Sequence, residues 1–447
     1  NSLSAQNPSS NADMYNVAVG YNAGAGITTG TSNTLIGGLA GDAITTADNN
    51  TAVGKGALGA NTTGTFNTAS GRQALLSNTT GDNNVAVGGN ALYQNTTADD
   101  NTAVGAYALD ANTTGASNTA VGANALDANT TAANNTAVGK NALKATTTGA
   151  VNVAVGTNAL LTNITGTRNS ALGVGALQLN TASDNVGIGY HALDTNAGGS
   201  NNTAVGTEAM DANTSGSANV AVGYRTLDAN TTGENNVAIG QAALGASSTG
   251  DGNTAVGKNC LDANTTADNN TAVGLNALGA NTTGAANTAL GRNALLANTT
   301  ASDNTAVGVN AMDTNTTGAS NVAVGQSALN ANTTADSNTA VGYHSLLANT
   351  TGASNTFMGA LTGDALTTGD FNVIVGSQSD STAVDSDKAQ GFGFNLACEA
   401  GFTTIGSGSD DIRAAHGNVT WATVSDERVK KDITDSTAGL SFINDLR

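Results

Sequence analysis

The sequence predicts an all-β chain: a parallel β-solenoid of 22 turns with a 17-residue period, followed by a small C-terminal tip. Three observations carry this reading. First, Asn118-Thr119-Ala120-Val121-Gly122 returns as Asn135-Thr136-Ala137-Val138-Gly139, and the same register runs from Asn16-Val17-Ala18-Val19-Gly20 to Asn372-Val373-Ile374-Val375-Gly376. That makes 22 turns and 21 intervals; twenty intervals are 17 residues and one, from Asn169 to Asn185, is 16. Second, side chains alternate within each block and a glycine closes it, the period-2 pattern of a short strand. Third, the composition is not that of a globular domain with a thick core. Of the 447 residues only 3% are aromatic and 11% charged, against about 25% charged in an ordinary globular chain. No large oily core is available for a conventional multidomain enzyme.

The unit reads N-[TV]-A-[VIL]-G-x-x-A-L-x-A-N-T-T-G/A-x-x, and its positions are numbered here as columns 1 to 17. Alternation puts Val153 and Val155 on one face of the strand and Ala154 on the other. Glycine at column 5 ends the strand. A second short strand is expected through Ala-Leu-x-Ala, and Asn-Thr-Thr-Gly makes a corner. Column 9 is Leu58, Leu75, Leu109, Leu126 or Leu160, and stays apolar as Met210 and Met312. About three apolar side chains per turn point inward, so one coil cannot bury itself, but stacked coils share a thin continuous core.

Column 12 is Asn in 16 of the 18 turns from Asn50 to Asn338, with Thr146 and Ser247 the exceptions. Asn61, Asn78, Asn95, Asn112 and Asn129 therefore read as a stacked amide ladder; the rival reading makes each Asn-Thr-Thr a glycosylation acceptor. The turns at Asn33 and Asn355 lack the Leu and carry Ile44 or Leu366 in the Asn column, and the first turn has Ile27 there. Atypical end turns are how a solenoid closes its edges. The expected organisation is a lead-in over 1–15, a shaft over 16–376, a tip over 377–424 and a distinct segment over 425–447. A thin solenoid with Ala- and Thr-rich faces has surface left to bury, so a coaxial homotrimer is expected.

Columns 6 and 7 are variable, polar and aromatic, hence outward-facing. They hold Tyr107, Tyr190, His191, Tyr224, Arg225, Tyr343 and His344. Such a ridge either contacts a host glycan or protein receptor or is solvated decoration. Asp recurs at column 10 (Asp110, Asp127, Asp194, Asp211), but the Gly-Gly-x-Gly-x-Asp calcium roll is absent and the three His are scattered. No metal and no cofactor are expected. Cys260 and Cys398 make no disulfide framework. With 14 basic against 33 acidic residues and a net charge of −19, nucleic acid and anionic membrane surfaces are unsuitable partners. Neither a signal peptide nor an apolar membrane-spanning run is seen, and the chain opens with Asn1 rather than Met, which suggests processing or a piece of a longer protein.

The N-[TSV]-A-[VIL]-G core resembles the head repeats of trimeric autotransporter adhesins, which also occur in phage tail fibres. The match covers 16–376, and it implies a left-handed parallel β-roll packed as a trimer. The 17-residue period and the Leu and Asn columns depart from the typical adhesin head. Residues 377–447 hold 6 of the 14 basic residues, Phe392, Phe394, Phe402 and the only Trp, Trp421. There Ser425-Asp426-Glu427-Arg428-Val429-Lys430-Lys431-Asp432-Ile433 is similar to the start of the intramolecular-chaperone autoprocessing domain of phage tail spikes, endosialidases and tail fibres. That resemblance implies a self-cleavage before Ser425, with Ser425 as nucleophile and Lys430 as its general base. A partly buried Lys with a depressed pKa suits that role; the plainer reading is a charged helix opening a coiled coil.

The expected function is accordingly a structural and adhesive fibre: the trimeric shaft and tip of a phage tail fibre, attached to an upstream fibre or baseplate protein and bound for a host surface. It is expected on the virion, and as an enzyme only upon itself. The rivals are a bacterial cell-surface adhesin or extracellular filament and, more remotely, an ice-binding solenoid using the paired Thr columns.

Overall fold

The computed structural model describes residues 2–6, 14–417 and 422–423. They form an all-β parallel solenoid of about 23 turns, in two compact units, Asn1–Asn276 and Ala277–Arg447. Each turn contributes a strand of only three residues, columns 2 to 4. In the first unit these run from Val17–Val19 to Thr271–Val273, in the second from Thr288–Leu290 to Val373–Val375. Neighbours pair in parallel with the expected register, Thr119 beside Thr136 and Val121 beside Val138. The 16-residue turn keeps that register, Ser170 lying beside Val186.

The alternation resolves in favour of the small residue. Ala154 is fully buried, while Val153 on the other face is 43% exposed. The inward columns are Ala at 3 and 8 and Leu at 9, the three apolar groups per turn that the sequence calls for. Much of the interior is amide, because the Asn side chains of columns 1 and 12 are also fully buried in almost every turn.

The column 12 ladder forms. Asn78 donates to Asn61 Oδ1 at 2.8 Å, Asn95 to Asn78 at 2.9 Å, Asn112 to Asn95 and Asn129 to Asn112 at 2.8 Å. Each amide also closes its own corner, as Asn112 does on the Gly115 carbonyl at 2.9 Å. A second ladder, at column 1, goes beyond the sequence expectations, although Asn opens all 22 turns. There the backbone N–H of Asn118 donates to Asn101 Oδ1 at 2.9 Å, and the Asn118 amide donates to the Ala132 carbonyl at 2.9 Å.

The Ala-Leu-x-Ala segment is not a strand, contrary to expectation. Columns 7, 9 and 17 have left-handed backbone; in one turn these are Tyr107 (φ 59°), Leu109 (φ 53°) and Ser117 (φ 59°). Such angles interrupt extended geometry, though the segment still bonds to the next turn, Leu126 N–H to the Ala142 carbonyl at 3.0 Å. A left-handed Leu costs about 1–2 kcal/mol. Seating its side chain in the core offsets that, and Asn, which tolerates this region, fills columns 7 and 17 most often. Glycine at column 5 has no substitute. Gly122 has φ +136°, and a Cβ there would lie 2.5 Å from the Gly139 carbonyl oxygen.

The variant end turns exchange volume between columns. Phe357 replaces the column 3 Ala and is fully buried, and Gly363 replaces the column 9 Leu; a Cβ on Gly363 would lie 2.4 Å from the Phe357 ring. Leu35 and Gly41 make the same exchange. The coil also runs past the last Asn-led turn. Gln390–Phe394 pairs in parallel with Val373–Val375 and with Phe402–Ser407, before Asp410–Ala415 turns antiparallel. Ala389 stands in the Asn column, and its N–H still bonds Asn372 Oδ1 at 2.8 Å.

Four ladder amides have a buried Oδ1 without a donor: Asn129, Asn163, Asn230 and Asn349. Each lies one turn before a break, namely Thr146, the 16-residue turn, Ser247 and Leu366. Ser247 Oγ is unsatisfied too. Ser247→Asn is therefore expected to stabilise the protein by about 1 kcal/mol, the usual net value of a hydrogen bond. A thermal unfolding midpoint that fails to rise would show that the ladder contributes nothing at that break.

Candidate functional site

The outward columns 6, 7 and 10 carry the chemically varied side chains, and left-handed backbone at column 7 sets how they meet. In a strand, consecutive residues face opposite ways; here they lie side by side. The rings of Tyr190 and His191 are 4.2 Å apart, and those of Tyr343 and His344 stack at 3.9 Å. The Arg225 guanidinium lies 5.4 Å from the centre of the Tyr224 ring. Tyr107, Tyr190, Tyr224 and Tyr343 are each exposed to about half, from 46% at Tyr343 to 51% at Tyr190.

Within the first unit, the turns at Asn185, Asn202 and Asn219 bring several of these residues into one patch. Arg225 pairs with Glu208 at 2.6 Å, in the turns that follow Tyr190. His191 Nδ1 meets Asp194 Oδ2 at 2.6 Å, and Asp211 of the following turn completes a cluster whose donor atoms lie within 4.8 Å of one another. The sequence suggests no metal cluster, because its three His are scattered. His191 belongs to the first unit and His344 and His416 to the second, but carboxylates 3 and 20 residues beyond His191 supply the other donors. Tyr107 stands apart from this patch, and Tyr343 and His344 belong to the second unit.

A shallow cavity of about 350 Å³ adds a feature that the sequence does not suggest. Leu39 and Leu76 give it apolar walls, with Asp42, Lys55 and Arg72 around them. Its signal in the sequence is Gly56 and Gly59, in columns where other turns have larger side chains. Column 13 hydroxyls are committed to the backbone of the next turn, as Thr113 Oγ1 is to the Thr130 carbonyl at 3.0 Å. That leaves column 14 alone of the Thr pair facing outward. Ser425 and Lys430 lie outside the described residues. Cys260 and Cys398 are buried and not joined in a disulfide, and burial pushes Cys398 up to about 12, helped by Asp380 and Asp411.

No family model matches the chain, and no curated protein matches it.

The Asp column is electrostatically uncomfortable. Burial holds Asp110, Asp127, Asp211, Asp228, Asp262 and Asp313 above the ordinary carboxylate range; a neighbouring Asp of the same column adds to this at Asp110, Asp211 and Asp228. At the tip, burial pushes Asp380 up to about 6, with Asp364 beside it. A folded pKa above the unfolded one gives stability that is full below the unfolded value of 3.8 and is lost as pH rises through the folded value. Arg168 holds Asp184 down by hydrogen bonding, which works the other way, but Arg168 is exposed and solvent screens the pair. The thermal midpoint is thus expected to be higher near pH 5 than near pH 7.5. Asp380→Asn should narrow the difference, and a midpoint that falls on acidification would refute the account.

Proposed function

We propose that the protein is the shaft and tip of a homotrimeric adhesive fibre of the phage tail-fibre kind. The observation that carries the proposal is the half-exposed aliphatic row on the outer face of the strands. In the first unit it includes Val87, Val138, Val153, Leu172, Ile188 and Ile239, and in the second Leu290, Val324 and Met358. Where the 16-residue turn falls, Val153, Val155, Leu172 and Ile188 line an apolar groove. A row of β-branched and aliphatic side chains on a sheet face is surface that association removes from water, at roughly 25 cal/mol per Å². A second and third copy of the same repeat supply a face of matching period, which no irregular partner does. The Tyr-rich columns then remain outside the bundle to meet a host glycan or protein. At the tip, Phe392, Phe394, Ile405 and Ile412 are each 40% exposed or more, a second surface suited to recognition.

Light scattering on the native protein is expected to give three chains. Replacing Val138 and Val153 by Asp should shift the mass towards one chain while the backbone spectrum stays β-rich. A monomeric wild type would remove the trimer and the fibre reading with it.

Self-processing is part of the same proposal. It rests on the resemblance of the stretch from Ser425 to Ile433 to the autoprocessing segment. Denaturing mass spectrometry should find a chain ending at Val424, and Ser425→Ala should abolish it. Intact wild-type chains under conditions where the trimer forms would count against a live Ser425 and favour the bacterial surface-adhesin reading.

A further inference from the structure

We infer that His191, Asp194 and Asp211 form a binding site for one divalent transition-metal ion of the zinc type. Their donor atoms, one imidazole nitrogen and two carboxylate oxygens, lie within 4.8 Å of one another. Ligand atoms around tetrahedral zinc stand about 3.3 Å apart, given bonds of about 2.0 Å to nitrogen and oxygen, so small side-chain rotations bring all three into range. A nitrogen donor with two carboxylates suits zinc, cobalt or nickel better than calcium, which takes six to eight oxygens.

Three further observations separate this cluster from a chance gathering of acids. Asp194 Oδ1 is buried and has no hydrogen-bond partner, although Oδ2 of the same carboxylate engages His191 Nδ1 at 2.6 Å. The two carboxylates bring two negative charges against at most one positive charge on the imidazole, and the nearby cation, Arg225, is engaged by Glu208 at 2.6 Å. The imidazole is held in place from the preceding turn: Gly175 occupies column 7 there, and a Cβ on it would lie 2.9 Å from His191 Cε1. The missing side chain at Gly175 gives the ring its seat, and the edge of Tyr190 holds its flank at 4.2 Å.

The chain contains its own control. His344 sits at the same column after the same Tyr, and Asp364 stands one turn on where Asp211 does, but Leu347 occupies the position of Asp194. The stacked carboxylates Asp110 and Asp127 are the complementary control, two acids of adjacent turns with no His. Among the described residues, only the turn at Asn185 and its successor bring all three donors together.

The test uses the full chain, stripped with chelator and titrated with Zn²⁺ by calorimetry, and with Co²⁺ followed by its visible absorption. One ion per chain is expected, with affinity falling as pH drops because the imidazole and carboxylates must be deprotonated. His191→Gln, Asp194→Asn and Asp211→Asn should each weaken binding by no less than the roughly tenfold that loss of even an outer partner costs. His344→Gln and Asp110→Asn should leave it unchanged, and thermal melts of all five variants confirm folding. No saturable binding by wild type, or binding untouched by His191→Gln and Asp211→Asn, would overturn the assignment.

Discussion

The solenoid depends on one constraint: each buried Asn amide is satisfied between a corner carbonyl of its own turn and the adjacent turn at the same column. Asn118 gives its backbone N–H to Asn101 Oδ1 and its side-chain N–H to the Ala132 carbonyl, and Asn112 is held by Asn95 and Gly115 in the same manner. Buried polar groups without partners cost about 1–3 kcal/mol each. Columns 1 and 12 must therefore repeat. Glycine at column 5 follows from the same stacking, since its Cβ would enter the carbonyl of the next turn. Once these columns are fixed, Ala and Leu need only fill the remaining thin space, and for this reason a chain with so few aromatics holds an ordered core.

Much of this is legible in the residues. The period, the parallel pairing, the buried Leu and the column 12 ladder all follow from counting, because a repeat of fixed length constrains stacking directly. The Ala-Leu-x-Ala backbone is not legible in the same way, since its apolar pattern suits a strand while its left-handed angles come from closing a 17-residue coil. The column 1 Asn looks like the start of a strand motif, yet its invariance over 22 turns is the signal for a ladder. The cluster at His191 joins residues of two turns; searching for several His hides it, whereas comparing columns 7 and 10 across adjacent turns reveals it. Continuation of the coil beyond Gly376 is hidden because Ala389 replaces the Asn while Gly393 keeps the glycine column.

The architecture separates a nearly uniform interior from a variable exterior. Columns 1, 3, 5, 8, 9 and 12 answer to the neighbouring turn, while 6, 7 and 10 answer to solvent or to a partner. Left-handed backbone at column 7 gives the outside a property that a plain strand lacks, because it sets adjacent residues side by side. Tyr190 with His191, and Tyr224 with Arg225, thereby become two-residue surface elements on a scaffold that tolerates their replacement.

Repetition carries a hazard in folding, and the 16-residue turn bears on it. Within a run of identical columns, a turn can stack on the wrong neighbour and still satisfy every amide, so misaligned coils compete with the native one. Between Asn169 and Asn185 that degeneracy ends. A slip of 17 residues that crosses this turn falls one residue out of column, which exchanges the inward and outward faces of the strand. Phe357 with Gly363 marks the second unit likewise, since a ring in column 3 is accommodated only where column 9 is empty. These irregularities act as keys in an otherwise uniform thread, and they let a chain of near-identical turns find a single alignment.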